Sequence, residues 1–376
     1  MSSSYALYER LFAYLRAVHP KPHVKRIGNW VWIMVGMIQS QSVHLNQIAQ
    51  HIPSKAKASG RIAQIRRWLS NRFVNPIEFY RPLIQEVLKN WSGRNAYVIL
   101  DATTVNRGKL QVLRLALSHC FRALPLSWLV FSGKGLVTVE QADDLLSEAE
   151  LLLRPIKTVT LLADRGFRDV DWAQKCLLLG WNYIIRVAKS TYVTLPGGQS
   201  LPINDLGVLP GQRRYFQNVR LTLETEFECN LIVTWTKATA KQPAELCAVI
   251  SNLKGCRATL KDYLIRMHIE ESFRDDKSGS LELEQTRLTD PNRLNHLLLA
   301  LAVVTLWIHE IGQQVVKTGQ RKEVDPAAKR QLSIFQIGWR KLKRAISRGL
   351  IPLFRLIICP MKLSPIAVAT TNIKKC

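Results

Sequence analysis

The sequence predicts a mixed α/β layer with a helical segment before it, a β-rich insertion within it and a basic helical tail after it. Three observations lead there. Apolar residues recur at helical spacing through the first 92 residues. From Asn95 short apolar strands alternate with helical runs, and two of those strands end on an acid, Asp101 and Asp164. Tyr263 to Lys277 then reads as a helix that sets a phenol, two cations and one carboxylate along a single stripe.

Residues 1–92 are expected to be helical and to contact DNA. Leu7, Leu11, Tyr14 and Leu15 make one stripe, and Trp30 to Met37 is apolar on most sides. A short helix from Val43, a break at Pro53 to Gly60 and an arginine-rich helix from Arg61 to Arg72 follow. A second helix of this kind can enter a groove while the turn meets phosphates, although many ordinary helical pairs look the same.

Residues 93–189 and 257–316 are expected to form the α/β layer. Ala96 to Asp101, Gln111 to Cys120 and Arg122 to Phe131 read as strands, and Val137 to Leu153 as a helix. Thr158 to Asp164 is another apolar strand, followed by a helix from Asp169 to Leu179 closed by Gly180, and a strand from Trp181 to Val187. Residues 190–256 carry turn signals at Pro196-Gly-Gly and Pro210-Gly. Strands at Val219–Glu226, Leu231–Thr236 and Leu246–Ser251 make them a β-rich insertion. Helices are expected over Leu260–Ser278 and Asn292–Gln314. Residues 317–376 form a basic tail with a helix near Arg340–Arg348 and a disordered end from Pro360.

The chain has 376 residues, 47% of them hydrophobic, enough for a large core and two or three domains. Lys and Arg number 53 against 28 Asp and Glu, a net charge of +25. Such an excess repels itself unless a polyanion neutralises it, so nucleic acid is the leading partner class and a generically basic protein the plainer alternative. No basic amphipathic segment with a lipid face stands at either end, so a membrane is not an expected partner. Seven scattered cysteines, odd in number and without a C-x-x-C pair, suit free thiols in a reducing compartment. Met1 to Arg10 lacks the order of a signal peptide, and the apolar run Leu297–Ile308 is short for a bilayer and reads as a buried helix.

At about 100° per residue, Tyr263, Arg266, Glu270 and Lys277 fall within roughly 60° of one another, while Glu271, Asp275 and Asp276 point elsewhere. A solvated, salt-bridged face gives the same pattern, and a lone Asp101 or Asp164 is as well suited to a turn or cap. Together the three acids form a hard-oxygen set, with no imidazole or thiolate to favour zinc. They suit Mg²⁺ or Mn²⁺, and two such ions about 3.5–4 Å apart can activate a nucleophile and stabilise a leaving oxygen at a phosphodiester. Gly166 allows close backbone approach after Asp164, and Arg165 stands ready for a phosphate.

These residues resemble the DDE transposases of bacterial insertion sequences, in particular the IS-four group. The likeness lies in Leu-Asp101-Ala-Thr-Thr, in Ala-Asp164-Arg-Gly-Phe and in Tyr263-x2-Arg266-x3-Glu270-x6-Lys277, over roughly residues 92–312. It implies a ribonuclease-H-like catalytic domain whose metal-dependent chemistry cleaves DNA at the element's ends and transfers strands to target DNA. It implies that Asp101, Asp164 and Glu270 hold the metal, as two ions, and that Tyr263, Arg266 and Lys277 bind phosphate. The implied partners are terminal inverted repeats, target DNA and further copies of the chain in a dimer or larger assembly, in a bacterial cytoplasm at the nucleoid. It also suggests an aromatic platform for a flipped base, for which Trp235 is the candidate, with core packing as the alternative. One departure is Ala102, where many relatives carry a second aspartate. A DNA-binding regulator without catalysis, and a nuclease of the same fold without strand transfer, are the other readings.

Overall fold

The computed structural model describes residues 3–236, 238, 243–279 and 281–364. Five helices come first. In α1 (Ser3–Val18), Leu7, Leu11 and Leu15 are buried at four-residue spacing, as an amphipathic stripe requires. α2 (Val24–Ser40) is buried on most sides and packs against α3 (Leu45–Gln50) through Gly36, where a Cβ would come within 2.5 Å of the Ile48 side chain. α4 (Ala58–Leu69) turns Ile65, Trp68 and Leu69 inward and leaves Arg66 and Arg67 exposed. α5 (Pro76–Leu88) starts on proline behind an Asn75 cap.

The sheet begins with an antiparallel meander of β1 (Asn95–Val105), β2 (Leu110–His119) and β3 (Arg122–Ser132). α6 (Asp143–Leu153) returns the chain to β4 (Thr158–Ala163), parallel to β1, and α7 (Val170–Leu178) leads to β5 (Asn182–Val187), parallel to β4. Five more strands follow: β6 (Tyr192–Thr194), β7 (Ser200–Pro202), β8 (Arg213–Leu221), β9 (Phe227–Trp235) and β10 (Leu246–Ser251). β10 pairs antiparallel with β5, so all ten strands make one sheet, in the order β3-β2-β1-β4-β5-β10-β9-β8-β6-β7. The strand expected at Val219–Glu226 lies earlier, at Arg213–Leu221. Its outer half is exposed on both faces, which erases the polar–apolar alternation a sequence reading depends on.

After the sheet come α8 (Arg257–Tyr263), a 3₁₀ turn at Leu264–Arg266, α9 (Met267–Arg274) and a π turn at Asp275–Gly279. The single helix expected over 260–278 is therefore four segments of different winding. Ile99, Leu162, Ile184 and Val249, on one face of the sheet, pack with Tyr263, Ile269 and Phe273 of this layer. Val98, Leu100, Leu161, Ala163 and Ile185, on the other face, join the main core with the first five helices and α10 (Pro291–Lys317).

The run Leu297–Ile308 proves to be the middle of α10, which is long and apolar enough to cross a membrane by length and composition. In its most apolar window 89% is buried inside the protein, as in the central helix of a core. α11 (Ile334–Ser347) crosses it glycine to glycine: a Cβ on Gly312 would run into the Ile334 carbonyl, and one on Gly338 into the Ile308 carbonyl. Gly338→Ala is expected to cost about 2–3 kcal/mol by overpacking, read as a lower urea midpoint at an unchanged slope. Beyond α11 the chain runs extended over α10, with Phe354, Leu356 and Ile358 buried and Cys359 exchanging two hydrogen bonds with Gln313. Pro360–Ser364, expected to be disordered, continues this strap, and the Ser364 carbonyl accepts from Arg330 at 2.5 Å. Residues 365–376 lie outside the described residues.

Candidate active site

The site forms where one parallel strand stops. β1 and β4 pair as far as Leu100–Ala163, so the next residues, Asp101 and Asp164, stand side by side. β4 ends there, but β1 continues through Ala102–Val105 against β2, because β-branched Thr103, Thr104 and Val105 extend the strand. Asp101 is thus mid-strand at a notch in the sheet and does not end its strand, as the sequence suggested. Asp164 opens a 3₁₀ turn at Arg165–Phe167, and its Oδ1 accepts the Gly166 N–H at 2.7 Å. A Cβ on residue 166 would lie 2.9 Å from that oxygen, so a larger residue there would push the Asp164 carboxylate aside.

α9 brings the third acid. Arg266 lies between two carboxylates: its Nη2 donates to Glu270 Oε1 at 2.6 Å and its Nη1 is 3.5 Å from Asp101 Oδ2. Asp101 Oδ1 also accepts the Ala102 N–H at 2.8 Å. Burial pushes the Asp101 carboxyl up to about 7; Arg266 and the Ala102 N–H oppose this, while the negative charges of Asp164 and Glu270 add to it. The structure thus concentrates negative charge from three segments, with a guanidinium holding part of it.

Among the described residues no group of three His, Cys, Asp or Glu side chains is spaced to hold a metal ion. Glu270 is joined to Asp101 through Arg266 and not through shared contact. The donor set nevertheless fits a hard divalent cation: carboxylates on neighbouring strand positions, oxygen donors alone, and no soft ligand among the three acids. Arg266 Nε is buried with no hydrogen-bond partner among the described residues.

The other stripe residues are placed as follows. Tyr263 is buried, 3% exposed, in the core beneath α8 and α9, with the Arg266 guanidinium 6.0 Å from its ring centre. Lys277 pairs with Glu284 at 3.3 Å, and Arg165 with Glu245 at 3.4 Å. Trp235 closes β9 half-buried, and its indole N–H donates to the Val208 carbonyl at 2.7 Å, the contacts of a packing residue. Asp275 and Asp276 turn away from the acids, as expected, to Arg122 at 2.5 Å and Arg114 at 2.7 Å, in almost fully buried pairs that fasten the π turn to β3 and β2.

One residue escaped the sequence reading. The register Ala163–Ile185 sets Arg186 next to Asp164 across the strands, where it pairs with Glu245 at 3.1 Å. Only the pairing of β4 with β5 reveals it, because Arg186 is otherwise one cation inside an apolar strand.

A family model described as a transposase DDE domain matches residues 97–307. The chain belongs to the transposase DDE domain family. The matched segment runs from β1 to the middle of α10 and contains Asp101, Asp164 and Glu270. No curated protein matches the chain. Among solved structures it is similar to Marinitoga piezophila Argonaute in complex with a 5′-OH guide RNA and target DNA, at 9% identity and a TM-score of 0.23. That comparison covers 56% of this chain and 30% of the Argonaute, so the chain spans under a third of that protein, and a likeness this slight carries no argument.

Proposed function

We propose that the chain is a transposase of the IS-four group that cleaves DNA at insertion-sequence ends and joins the ends to target DNA. One observation supports this above the rest: Asp101 and Asp164 are register neighbours inside the matched transposase DDE domain, and Glu270 is tied to Asp101 through Arg266. The order β3-β2-β1-β4-β5, with the first three strands antiparallel and the next two parallel to β1, supports a ribonuclease-H-like catalytic domain.

In this reading Asp101, Asp164 and Glu270 hold Mg²⁺ or Mn²⁺, which when bound polarises the phosphodiester and lowers the pKa of the attacking water or 3′-hydroxyl. The protein's own groups bind and orient the DNA. Arg266 and Lys277, with Tyr263 behind them, and Arg165 with Arg186 take phosphate oxygens. Each of these cations is held by a carboxylate here: Arg266 by Asp101 and Glu270, Lys277 by Glu284, and the other two by Glu245. DNA phosphates replace these partners. The DNA carries terminal inverted repeats, the working unit is a dimer or larger assembly, and the place of action is the cytoplasm at the nucleoid.

Incubating the protein with Mg²⁺ and labelled duplexes of the DNA adjoining its coding region tests the proposal. Cleavage with joining is expected. Cleavage alone would make it a nuclease, and binding alone a regulator. Glu270→Ala is expected to abolish cleavage and Glu271→Ala to be far milder, because Glu271 faces Arg274 at 2.9 Å and Arg122 at 3.9 Å. Equal losses in a gel assay of cut ends would refute the assignment of Glu270. Glu245→Gln frees Arg165 and Arg186, so it should tighten end binding several-fold at low salt and not at high salt, read by fluorescence anisotropy.

A further inference from the structure

We infer that the N-terminal helices carry a duplex-DNA subsite in which Phe73 is an apolar wedge set against the bases, flanked by Arg26 and Arg72. The inference rests on the transposase reading for its partner and adds a contact that reading does not contain. Phe73 is the most exposed aromatic ring among the described residues, at 59%. Its backbone is held: the Phe73 N–H donates to Asn71 Oδ1 at 3.0 Å, and buried Val74 anchors the turn behind it. The guanidinium carbons of Arg26 and Arg72 lie 4.6 and 5.0 Å from the ring centre.

Arg26 also belongs to the wall of a groove of about 210 Å³ beside α4. Lys25 and Arg67 supply further positive charge, and no carboxylate lines it. Three amides, Asn29, Gln64 and Asn71, line it, the first two joined at 2.8 Å. Cations at the rim suit phosphates, and amides inside suit base edges. An exposed ring with two guanidiniums beside it suits insertion at a base step, where apolar side chains act as wedges. A lipid surface would call for several apolar side chains on that face, and an acidic protein would give the ring and amides no task.

The test compares variants for binding to a short labelled duplex of the DNA adjoining the coding region, across a NaCl series. Phe73→Ala should fold with an unchanged thermal midpoint and weaken binding roughly tenfold, the scale of one aromatic contact with a base. Its slope of log affinity against log salt should match the wild type, since no phosphate contact is lost. Phe73→Trp should retain binding. Arg67→Ala should weaken binding and flatten the slope by about 1. Wild-type affinity in Phe73→Ala would overturn the inference, as would equal binding of the single strand, which would make the ring a platform for unpaired bases. Wild-type cleavage and joining test the transposase reading separately, so that reading survives if only the Phe73 comparison fails.

Discussion

Asp101→Asn is expected to abolish DNA cleavage and, in the same preparation, to raise the thermal midpoint of the metal-free protein at pH 8. Asp101 is half-buried, its side chain 14% exposed, at a notch in the sheet with Asp164 beside it and Glu270 nearby, and its pKa is pushed up to about 7 from an ordinary 3.8. A raised acid pKa means that the native chain binds the proton more tightly than the unfolded chain. The penalty is absent below about pH 4, where both states are protonated. It grows as pH rises through the interval and is complete above about 7. Asparagine removes the charge and with it the penalty. The interval corresponds to roughly 4 kcal/mol at most, reduced because Arg266 loses one of its two partners. Melting in EDTA at pH 5 and pH 8 checks the sign: the wild type should lose stability between the two and the variant much less. A variant that melts lower than the wild type at pH 8 would contradict the electrostatic account of the site.

Asp276→Ala is expected to have the largest effect on folding. Asp276 and Arg114 are each 4% exposed in their side chains and meet at 2.7 Å. Removing the carboxylate leaves a guanidinium buried without its counter-charge, at a cost of about 3–5 kcal/mol. The same pair ties the π turn after α9 to β2, so the loss also loosens the helix that carries Glu270. Denaturant melts should show the drop, and cleavage should fall even where the variant is folded. The double variant Arg114→Leu with Asp276→Leu should recover most of the stability, because no charge then remains buried. If the single variant melts like the wild type, the pair is not the fastening it is described to be.

Much of the site was legible in the sequence because each acid lies on a local pattern. Asp101 and Asp164 each close an apolar run, although β1 continues past Asp101, and Glu270 lies in a helical stretch between cations. Arg266, which bridges Asp101 and Glu270, was legible, but the neighbouring set of Arg186 and Glu245 was not, because it forms across the sheet. Arg186 lies beside Asp164 only through the register of two parallel strands, which no local pattern encodes. Glu245 reaches Arg165 and Arg186 from the segment before β10. The α8–α9 stretch read as one regular helix because its apolar spacing is nearly continuous. A 3₁₀ turn at its middle and a π turn at its end change the winding, and the π turn lets consecutive Asp275 and Asp276 both meet β-strand arginines. The hairpin of β6 and β7 escaped because its strands have three residues each, too few to show a period. The arginines of α4 were visible. The ring beside them was not, since an exposed Phe73 looks like a core residue until its surroundings are known.

The most direct measurement is an anomalous difference map from crystals of the wild-type protein equilibrated with Mn²⁺. The account predicts a peak bonded to carboxylate oxygens of both Asp101 and Asp164, absent in crystals of Asp101→Asn grown the same way. Manganese bound elsewhere on the chain, with no peak touching either aspartate, would contradict it.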